Sequence, residues 1–304
     1  MITNVELTKS EQKKIIINNA IKEYLNTPLL DRSVKRISAK YGINQKTLSK
    51  YLKLQGIDIK NNRNANDFNY RFFQQIDTEE KAYWLGFLFA DGYVSSKGNS
   101  IGLNISLKDI DHLKKYNTAL NYSKGLSVSE THQFGNKDNH CNKKGEIMYM
   151  VSTTIFNADM RNDLINKGCI PNKSLVLKFP DESIFIESEK YTKNQLILHF
   201  IRGYFDGDGT LGLYQHSKTN TNKEESLIIV GTKQFLEKIQ EYLGNGFLMQ
   251  KSNCNEKTYR LSYSTKKAYN AANLMYNNAT VYLERKYNIY LDMCHHKSGK
   301  NGEP

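Results

Sequence analysis

Two apolar stretches that each end in an acidic Asp-Gly pair decide the fold of this chain: WLGFLFADGYV, residues 84–94, and FIRGYFDGDGTLG, residues 200–212. Each stretch holds one glycine five residues before its aspartate, so that Gly86 precedes Asp91 and Gly203 precedes Asp208. Because the whole pattern occurs twice, we expect the two stretches to have equivalent roles.

Both stretches are predicted to be helices. Glu79 and Glu80 behind Thr78 are typical of a capped first turn, and Thr192 with Gln195 three residues later forms a capping-box pattern. A glycine inside a helix costs about 1 kcal/mol relative to alanine. Close approach of two backbones would offset that cost, so we expect the two helices to pack face to face through their glycines.

Asp91 and Asp208 would then lie at adjoining helix C-termini. The helix dipole disfavours a carboxylate there by about 0.3 to 1 kcal/mol, and the two negative charges also repel each other. A shared cation would reverse both effects. A divalent ion such as Mg²⁺, or Mn²⁺ in its place, takes oxygen ligands and suits two carboxylates beside a phosphodiester.

Two other interpretations of the Asp-Gly pairs were weighed. A single Asp-Gly after an apolar run is usually a hairpin turn or a helix cap, but the second copy with its embedded glycine argues against that interpretation. The DGDG sequence from Asp206 also begins like an EF-hand loop. The twelfth position of that loop would be Ser217, where calcium binding requires a glutamate.

At these residues the chain resembles the LAGLIDADG homing endonucleases. Aligned on that nine-letter motif, residues 84–92 read WLGFLFADG and residues 201–209 read IRGYFDGDG, which share the third-position glycine, the eighth-position acid and the final glycine. Phe89 stands where the family often has an acid. The resemblance covers about residues 78–300, and it implies that the eighth-position residues, Asp91 and Asp208, bind the catalytic metal ions.

The composition favours a polyanionic partner. Forty-three basic and 31 acidic residues give a net charge of +12, and residues 1–66 contribute +8 of it, from 13 basic and 5 acidic side chains. The four cysteines have no CxxC spacing, which argues against a zinc ribbon and favours a reducing compartment. No apolar run approaches eighteen residues. We therefore expect a soluble, cytoplasmic protein that associates with DNA and not with membranes.

Residues 1–62 are predicted to form a helix-turn-helix DNA-binding module. A helical stripe over residues 12–25 is followed by a second helix, a turn at Gly42, and a third helix over Gln45–Leu54 with Asn44 as its N-cap. Its small core would consist of Val34, Ile37, Ile43, Leu48 and Leu52. The side chains left to face a major groove would be Gln45, Lys46, Ser49, Lys50 and Lys53. An ordinary basic helical hairpin is the alternative, and the local charge of +8 favours DNA.

The rest of the chain repeats one order of elements. After a predicted linker over residues 63–77, the order helix, hairpin, helix, hairpin, helix occurs in residues 78–180 and again in residues 193–300, with residues 181–192 between them. Alternating apolar residues such as Ile101, Leu103 and Ile105 predict strands with one wet face. The predicted fold class is α+β, with two pseudo-twofold-related αββαββα repeats preceded by a small all-α domain. The resemblance implies saddle-shaped antiparallel sheets that lie along a DNA duplex.

The polar faces of these strands are the candidates for base recognition, since Asn, Gln, Arg and Lys supply the bidentate pairings with base edges. The first sheet would present Asn104, Ser106, Lys108, Ser127, Ser129, Thr131 and Gln133. The second would present Tyr214, His216, Arg260, Ser262 and Ser264. A simple solvated sheet face is the alternative for any one of them.

Two lysines are candidates for the chemistry. In the family that this chain resembles, a basic residue often lies near each active site, and Lys173 in IPNKS and Lys286 in LERKY occupy matching places after the two motifs. Each would offset charge in the transition state or activate the attacking water; positioning of phosphates without chemistry is the alternative. His132 with His140 and Cys141, and the Cys294–His296 run, supply no recognisable four-ligand metal set.

The resemblance and the paired acids together predict a site-specific double-strand DNA endonuclease. It would be a monomer, free-standing or intron-encoded, that hydrolyses phosphodiester bonds at a long asymmetric target with a divalent metal. Two other functions stay open: a catalytically inactive DNA-binding regulator of the same fold, and an intron maturase that binds RNA.

Overall fold

The computed structural model describes residues 8–27, 33–57, 68–132, 147–217, 220–251 and 257–300. Contacts within the chain divide it into two compact units, Met1–Phe68 and Asn69–Pro304. In these described ranges, no helix is long and apolar enough to span a bilayer.

The described residues of the first unit form three helices: α1 (Lys9–Asn26), α2 (Val34–Lys40) and α3 (Gln45–Leu54). A capping box of Thr8 and Glu11 starts α1 three residues before the predicted helix. Gly42 takes a left-handed φ of +62° in the turn before α3, and the Asn44 side chain caps α3 by accepting the Lys46 N–H at 2.8 Å. The core joins Ile17, Ala20, Ile21 and Tyr24 of α1 to Val34, Ile37, Leu48 and Leu52. The predicted turn, cap and core positions are therefore confirmed, while DNA binding by this unit stays a prediction.

The second unit contains the same order of elements twice. The first repeat comprises α4 (Glu79–Ala90), β1 (Gly92–Val94), β2 (Ser100–Ser106), α5 (Ile110–Ala119), β3 (Ser127–His132), β4 (Ile147–Phe156) and α6 (Ala158–Asn166). The second comprises α7 (Lys193–Asp208), β5 (Gly209–Ser217), β6 (Asn220–Gly231), α8 (Lys233–Leu243), β7 (Phe247–Gln250), β8 (Tyr259–Ser264) and α9 (Thr265–Tyr276), and is followed by α10 (Glu284–Lys300).

Each repeat forms one four-stranded antiparallel sheet. The strand order is β1-β2-β4-β3 in the first sheet and β5-β6-β8-β7 in the second, so equivalent strands occupy equivalent places. The predicted α+β fold of two αββαββα repeats is confirmed.

One face of each sheet is buried in the core and the opposite face is open. In β2, Ile101, Leu103 and Ile105 are buried whereas Asn104 between them is exposed. Lys108 was predicted to extend this exposed strand face, and that prediction is wrong. The chain leaves the strand at Ser106, whose hydroxyl accepts the Lys108 N–H at 3.4 Å, and Lys108 lies in the single 3₁₀ turn that follows.

Candidate active site

Helices α4 and α7 pack against each other with their backbones in direct contact at the two glycines. A Cβ atom placed on Gly86 would lie 1.9 Å from the carbonyl oxygen of Phe200, and one placed on Gly203 would lie 1.9 Å from that of Tyr83. No side chain fits at either position. The predicted face-to-face packing is confirmed, and it explains why both helices contain a glycine in spite of its low helix propensity.

This packing brings Asp91 and Asp208 together. Asp91 is the C-cap of α4, and Asp208 is the last residue of α7. A Cβ atom on Gly207 would lie 3.2 Å from the Oδ2 atom of Asp91, so the Asp91 carboxylate rests against the residue that immediately precedes Asp208. Both side chains remain exposed to solvent on one side.

The surroundings of the two carboxylates disfavour negative charge. Partial desolvation by the enclosing helices raises the pKa of Asp91 to about 6, and the charge of Asp208 adds to this effect, while Lys286 and Lys173 oppose it. Desolvation also raises the pKa of Asp208, against the opposing effects of Tyr204 and the same two lysines. Two partly desolvated acids that repel each other form a site that a cation would stabilise.

The two predicted lysines lie buried at the ends of the same two helices. Lys173 donates to the carbonyl of Gly92, directly after Asp91, and Lys286 donates to the carbonyls of Phe205 at 2.5 Å and Asp206 at 2.9 Å. Unpaired carbonyls at a helix C-terminus attract cations, which accounts for both placements. Burial lowers the pKa of Lys286 to about 8, opposed by the nearby Asp206. Both lysines therefore lie next to the pair of aspartates, and each ammonium group acts electrostatically on both carboxylates.

A buried polar network that the sequence analysis missed lies directly behind this site. Glu79 of α4 and Arg202 of α7 form a fully buried ion pair at 2.6 Å. Asp206 of α7 is also buried, and its carboxylate accepts hydrogen bonds from the hydroxyls of Tyr83 at 2.6 Å and Tyr276. A signal for the network was present in the sequence, because Arg202 and Asp206 are charged residues four positions apart in the stretch 200–206, whose other residues are apolar or glycine apart from Tyr204.

The network also fixes the charge of its own members. Burial alone would raise the pKa of Glu79, but the Arg202 guanidinium and the Thr280 N–H outweigh it and lower the pKa below its ordinary value. Desolvation lowers the pKa of His112, whose Nε2 atom lies 3.0 Å from the Tyr83 hydroxyl, to about 3. His112 is therefore neutral. Because the Tyr83 hydroxyl donates its proton to Asp206, the His112 tautomer that carries its proton on Nε2 completes the chain by donating to Tyr83.

The open face of the first sheet carries most of the predicted polar side chains in register. Residues directly opposite each other in neighbouring strands share a face. The pairing β2-β4-β3 aligns Asn104 with Ser152 and Ser127, and it aligns Ser106 with Met150 and Ser129. Ser152 is an additional polar residue of this face that the sequence analysis did not name. Thr131 follows in β3 opposite Met148, its side chain is not described, and Gln133 lies outside the described residues.

The open face of the second sheet is less uniform. Tyr214 is 49% exposed and lies flat over Gly212, whereas the Arg260 guanidinium turns along the sheet to the Met249 sulfur at 3.0 Å. Ser264 is exposed, but the Ser262 hydroxyl is buried and has no partner among the described residues. His216 belongs to β5, and its side chain is not described. Among the described side chains of the predicted set, Tyr214 and Ser264 are exposed and Arg260 is half-buried.

The predicted contact surface of the first unit lies on one side of α3. Gln45, Lys46, Lys50 and Lys53 are exposed and Ser49 is half-buried, and together they line an open depression with Leu54. Within the described ranges no group of three or more His, Cys, Asp and Glu side chains has metal-binding proximity. His140 and Cys141 lie outside those ranges.

No protein-family model matches the sequence, and no curated protein matches it. The structure matches solved LAGLIDADG homing endonucleases. The I-LtrWI homing endonuclease bound to target DNA matches with 12% identity and a TM-score of 0.45, over 74% of this chain and 92% of that one. The I-SmaMI meganuclease bound to uncleaveable DNA matches with 13% identity and a TM-score of 0.44, over 72% and 90%.

Proposed function

We propose that this protein is a metal-dependent, site-specific double-strand DNA endonuclease. The observation that carries the proposal is the pair Asp91 and Asp208, which two closely packed helices hold together at their C-termini with one side open to solvent. A structural role does not account for two adjacent carboxylates that the surroundings destabilise. A metal-binding role does, and perturbed acids in such a place are typical of catalytic sites.

The residues present fit a hard divalent cation. Asp91 and Asp208 supply two carboxylates, and Mg²⁺ is usually bound by one or two carboxylates with water and substrate phosphate oxygens as its remaining ligands. That requirement matches a site with no third acidic or imidazole ligand among the described residues. When bound, Mg²⁺ or Mn²⁺ supplies a Lewis acid for a phosphodiester and an activated water.

Lys173 and Lys286 are proposed to act beside the scissile phosphates. Their ammonium groups are fixed by carbonyls at the helix ends, so they present positive charge without the entropy loss of ordering a mobile side chain. Such fixed charge stabilises the phosphorane-like transition state more than the ground state.

The duplex is proposed to bind along the open faces of the two sheets, with α3 of the first unit extending the contacts. The two strands of a DNA duplex are themselves related by a twofold axis, so a pseudo-twofold protein presents one equivalent centre to each strand. A single chain that carries both halves then reads an asymmetric target as a monomer. The net charge of +12 supports a polyanionic substrate.

A cleavage assay tests the proposal. The substrate is a supercoiled plasmid that carries the uninterrupted insertion site, that is, the two genomic sequences flanking the element that encodes this protein, joined directly to each other. The plasmid is incubated with the protein in the presence of Mg²⁺ or of EDTA. Wild-type protein should linearise the plasmid only with Mg²⁺, and Asp91→Asn or Asp208→Asn should abolish linearisation while gel-shift affinity is retained. Asp292→Asn, an exposed acid on α10, serves as the control that should still cut.

Three results would contradict the proposal or part of it. Full cutting by either aspartate variant would remove the active-site assignment. Tight binding by a wild-type protein that never cuts would favour the inactive DNA-binding regulator. Preference for the transcribed host intron over duplex DNA, with accelerated splicing, would favour the maturase.

A further inference from the structure

The segment between α9 and α10 has little regular structure, and side chains of α4 and α7 satisfy much of its backbone. Glu79 accepts the N–H groups of Thr280 at 2.7 Å and Val281 at 3.3 Å, and Arg202 donates to the carbonyls of Val281 at 2.9 Å and Met275 at 2.7 Å. Buried backbone groups without such partners would be strongly unfavourable. The segment therefore takes its conformation from these buried charges.

Asp206 binds both ends of this segment. Its carboxylate accepts the Leu283 N–H at 2.8 Å and the hydroxyl of Tyr276, which are the two ends of the segment. Leu283 in turn accepts the N–H of Lys286 through its carbonyl at 3.0 Å. The Asp206 side chain is thus linked through Leu283 to the backbone of Lys286, whose ammonium group also donates directly to the backbone carbonyl of Asp206 at 2.9 Å.

The first repeat performs the same task with an apolar residue. The position equivalent to Asp206, two residues before the motif aspartate, is Phe89, and its ring packs against Gly168 in the loop that leads to Lys173. In both repeats the side chain at this position therefore supports the chain just before the lysine. The two supports differ in kind, since one is a ring contact and the other is a buried carboxylate.

We propose that Asp206 is a positioning residue for Lys286: by holding the segment 276–283, its side chain fixes the Lys286 ammonium group on the C-terminal carbonyls of α7, next to the paired carboxylates, so its loss impairs the cleavage of one DNA strand only. The inference rests on the proposed nuclease function. It assigns no contact between Asp206 and DNA or metal, because the carboxylate is buried and its oxygens are occupied by protein donors.

The first test uses protein alone. Lys173 and Lys286 are 7% and 1% exposed, so an amine-acylating reagent should label both slowly. Asp206→Ala should raise the labelling rate of Lys286, measured by mass spectrometry and normalised to Lys173, at least tenfold. Asp206→Asn keeps an oxygen for Leu283 and should give a smaller increase. Leu236→Ala, which removes a fully buried side chain of α8, is the control for general destabilisation and should leave the ratio unchanged.

The second test resolves the two strands. Cleavage of a target duplex with a different fluorophore on each 5′ end is followed for wild type, Lys286→Met, Asp206→Ala and Leu236→Ala. Asp206→Ala should slow the strand that Lys286→Met slows, at least tenfold, and should spare the other strand. Equal slowing of both strands, or an unchanged labelling ratio, would overturn the inference. A wild-type protein that cuts neither strand refutes the proposed function instead, and the labelling ratio alone then decides whether Asp206 holds Lys286.

Discussion

Replacing Gly86 by alanine tests whether the backbone contact between α4 and α7 builds the active site. The new Cβ atom would lie 1.9 Å from the Phe200 carbonyl oxygen, and 2.9 Å from both the Phe200 carbonyl carbon and the Tyr204 nitrogen. All three are backbone atoms of α7, so no side chain can rotate away. The helices must separate by about 1.5 Å to reach an ordinary contact.

The magnitude follows from two opposing terms. Alanine in a helix gains about 1 kcal/mol over glycine. Overpacking of a tight core costs about 1 to 3 kcal/mol. Because the new Cβ atom of Gly86→Ala would meet backbone atoms that cannot move aside, we expect a cost of about 3 kcal/mol or more. We expect a net loss of about 2 kcal/mol in the free energy of unfolding, which for a unit of this size lowers the melting temperature by about 4 to 8 °C. Gly203→Ala should behave alike, because its Cβ would meet the Tyr83 carbonyl oxygen at the same 1.9 Å.

Thermal unfolding followed by circular dichroism, combined with the plasmid cleavage assay, provides the measurement. Gly125→Ala is the matched control, since a Cβ there meets nothing within 4 Å and the backbone φ is not positive; we expect it to melt within about 1 °C of wild type and to cut normally. Gly86→Ala should lose cleavage by more than its stability loss explains, because separated helices displace Asp91 from Asp208. A Gly86→Ala protein that melts and cuts like wild type would refute this account of the interface.

Two further predictions concern charge. In EDTA near neutral pH, Asp91→Asn should raise the free energy of unfolding by about 1 kcal/mol. The pKa of Asp91 is raised from 3.8 to about 6, so the ionised carboxylate destabilises the folded state. An unscreened shift of this size would correspond to roughly 3 kcal/mol, and the solvent exposure of Asp91 reduces it. In urea titrations the gain should vanish below pH 3.8, where both states are protonated, and a gain that persists there contradicts the assignment. Replacing Lys46 and Lys50 of α3 by glutamine should reduce the salt dependence of DNA binding by about 1.8 in slope, as each phosphate contact contributes about 0.9. The same change at Lys13 and Lys14 of α1 should not alter it, and equal slopes in gel-shift titrations would exclude α3 from the DNA contact.

Local patterns in the sequence predicted the frame of this fold. The capping box of Thr192 and Gln195, the turn at Gly42 and the alternation around Asn104 each depend on residues a few positions apart, and all three are confirmed. The juxtaposition of Asp91 and Asp208 was also predictable, because a glycine at the same offset in two helices has few explanations other than close packing.

Interactions between distant residues were not predictable in the same way. Glu79 was interpreted as a first-turn charge, whereas it is the buried partner of Arg202, 123 residues away. A local pattern records that a residue is charged but not which distant residue neutralises it. Strand β1 was predicted only as part of a hairpin, without bounds of its own, since three residues are too few for alternation to be visible.

The buried network and the proposed active site have opposite effects on the stability of the same two helices. Close packing at Gly86 and Gly203 places two acids side by side, and without a cation this arrangement lowers the stability of the unit. Behind the acids, the Glu79–Arg202 pair and the occupied carboxylate of Asp206 tie α4, α7 and the segment before α10 together. An isolated buried ion pair adds little net stability over apolar residues, but removal of one partner leaves an uncompensated charge, so such a pair favours one arrangement strongly over others. The network therefore contributes specificity of position more than stability, which is what a site built from repelling charges requires.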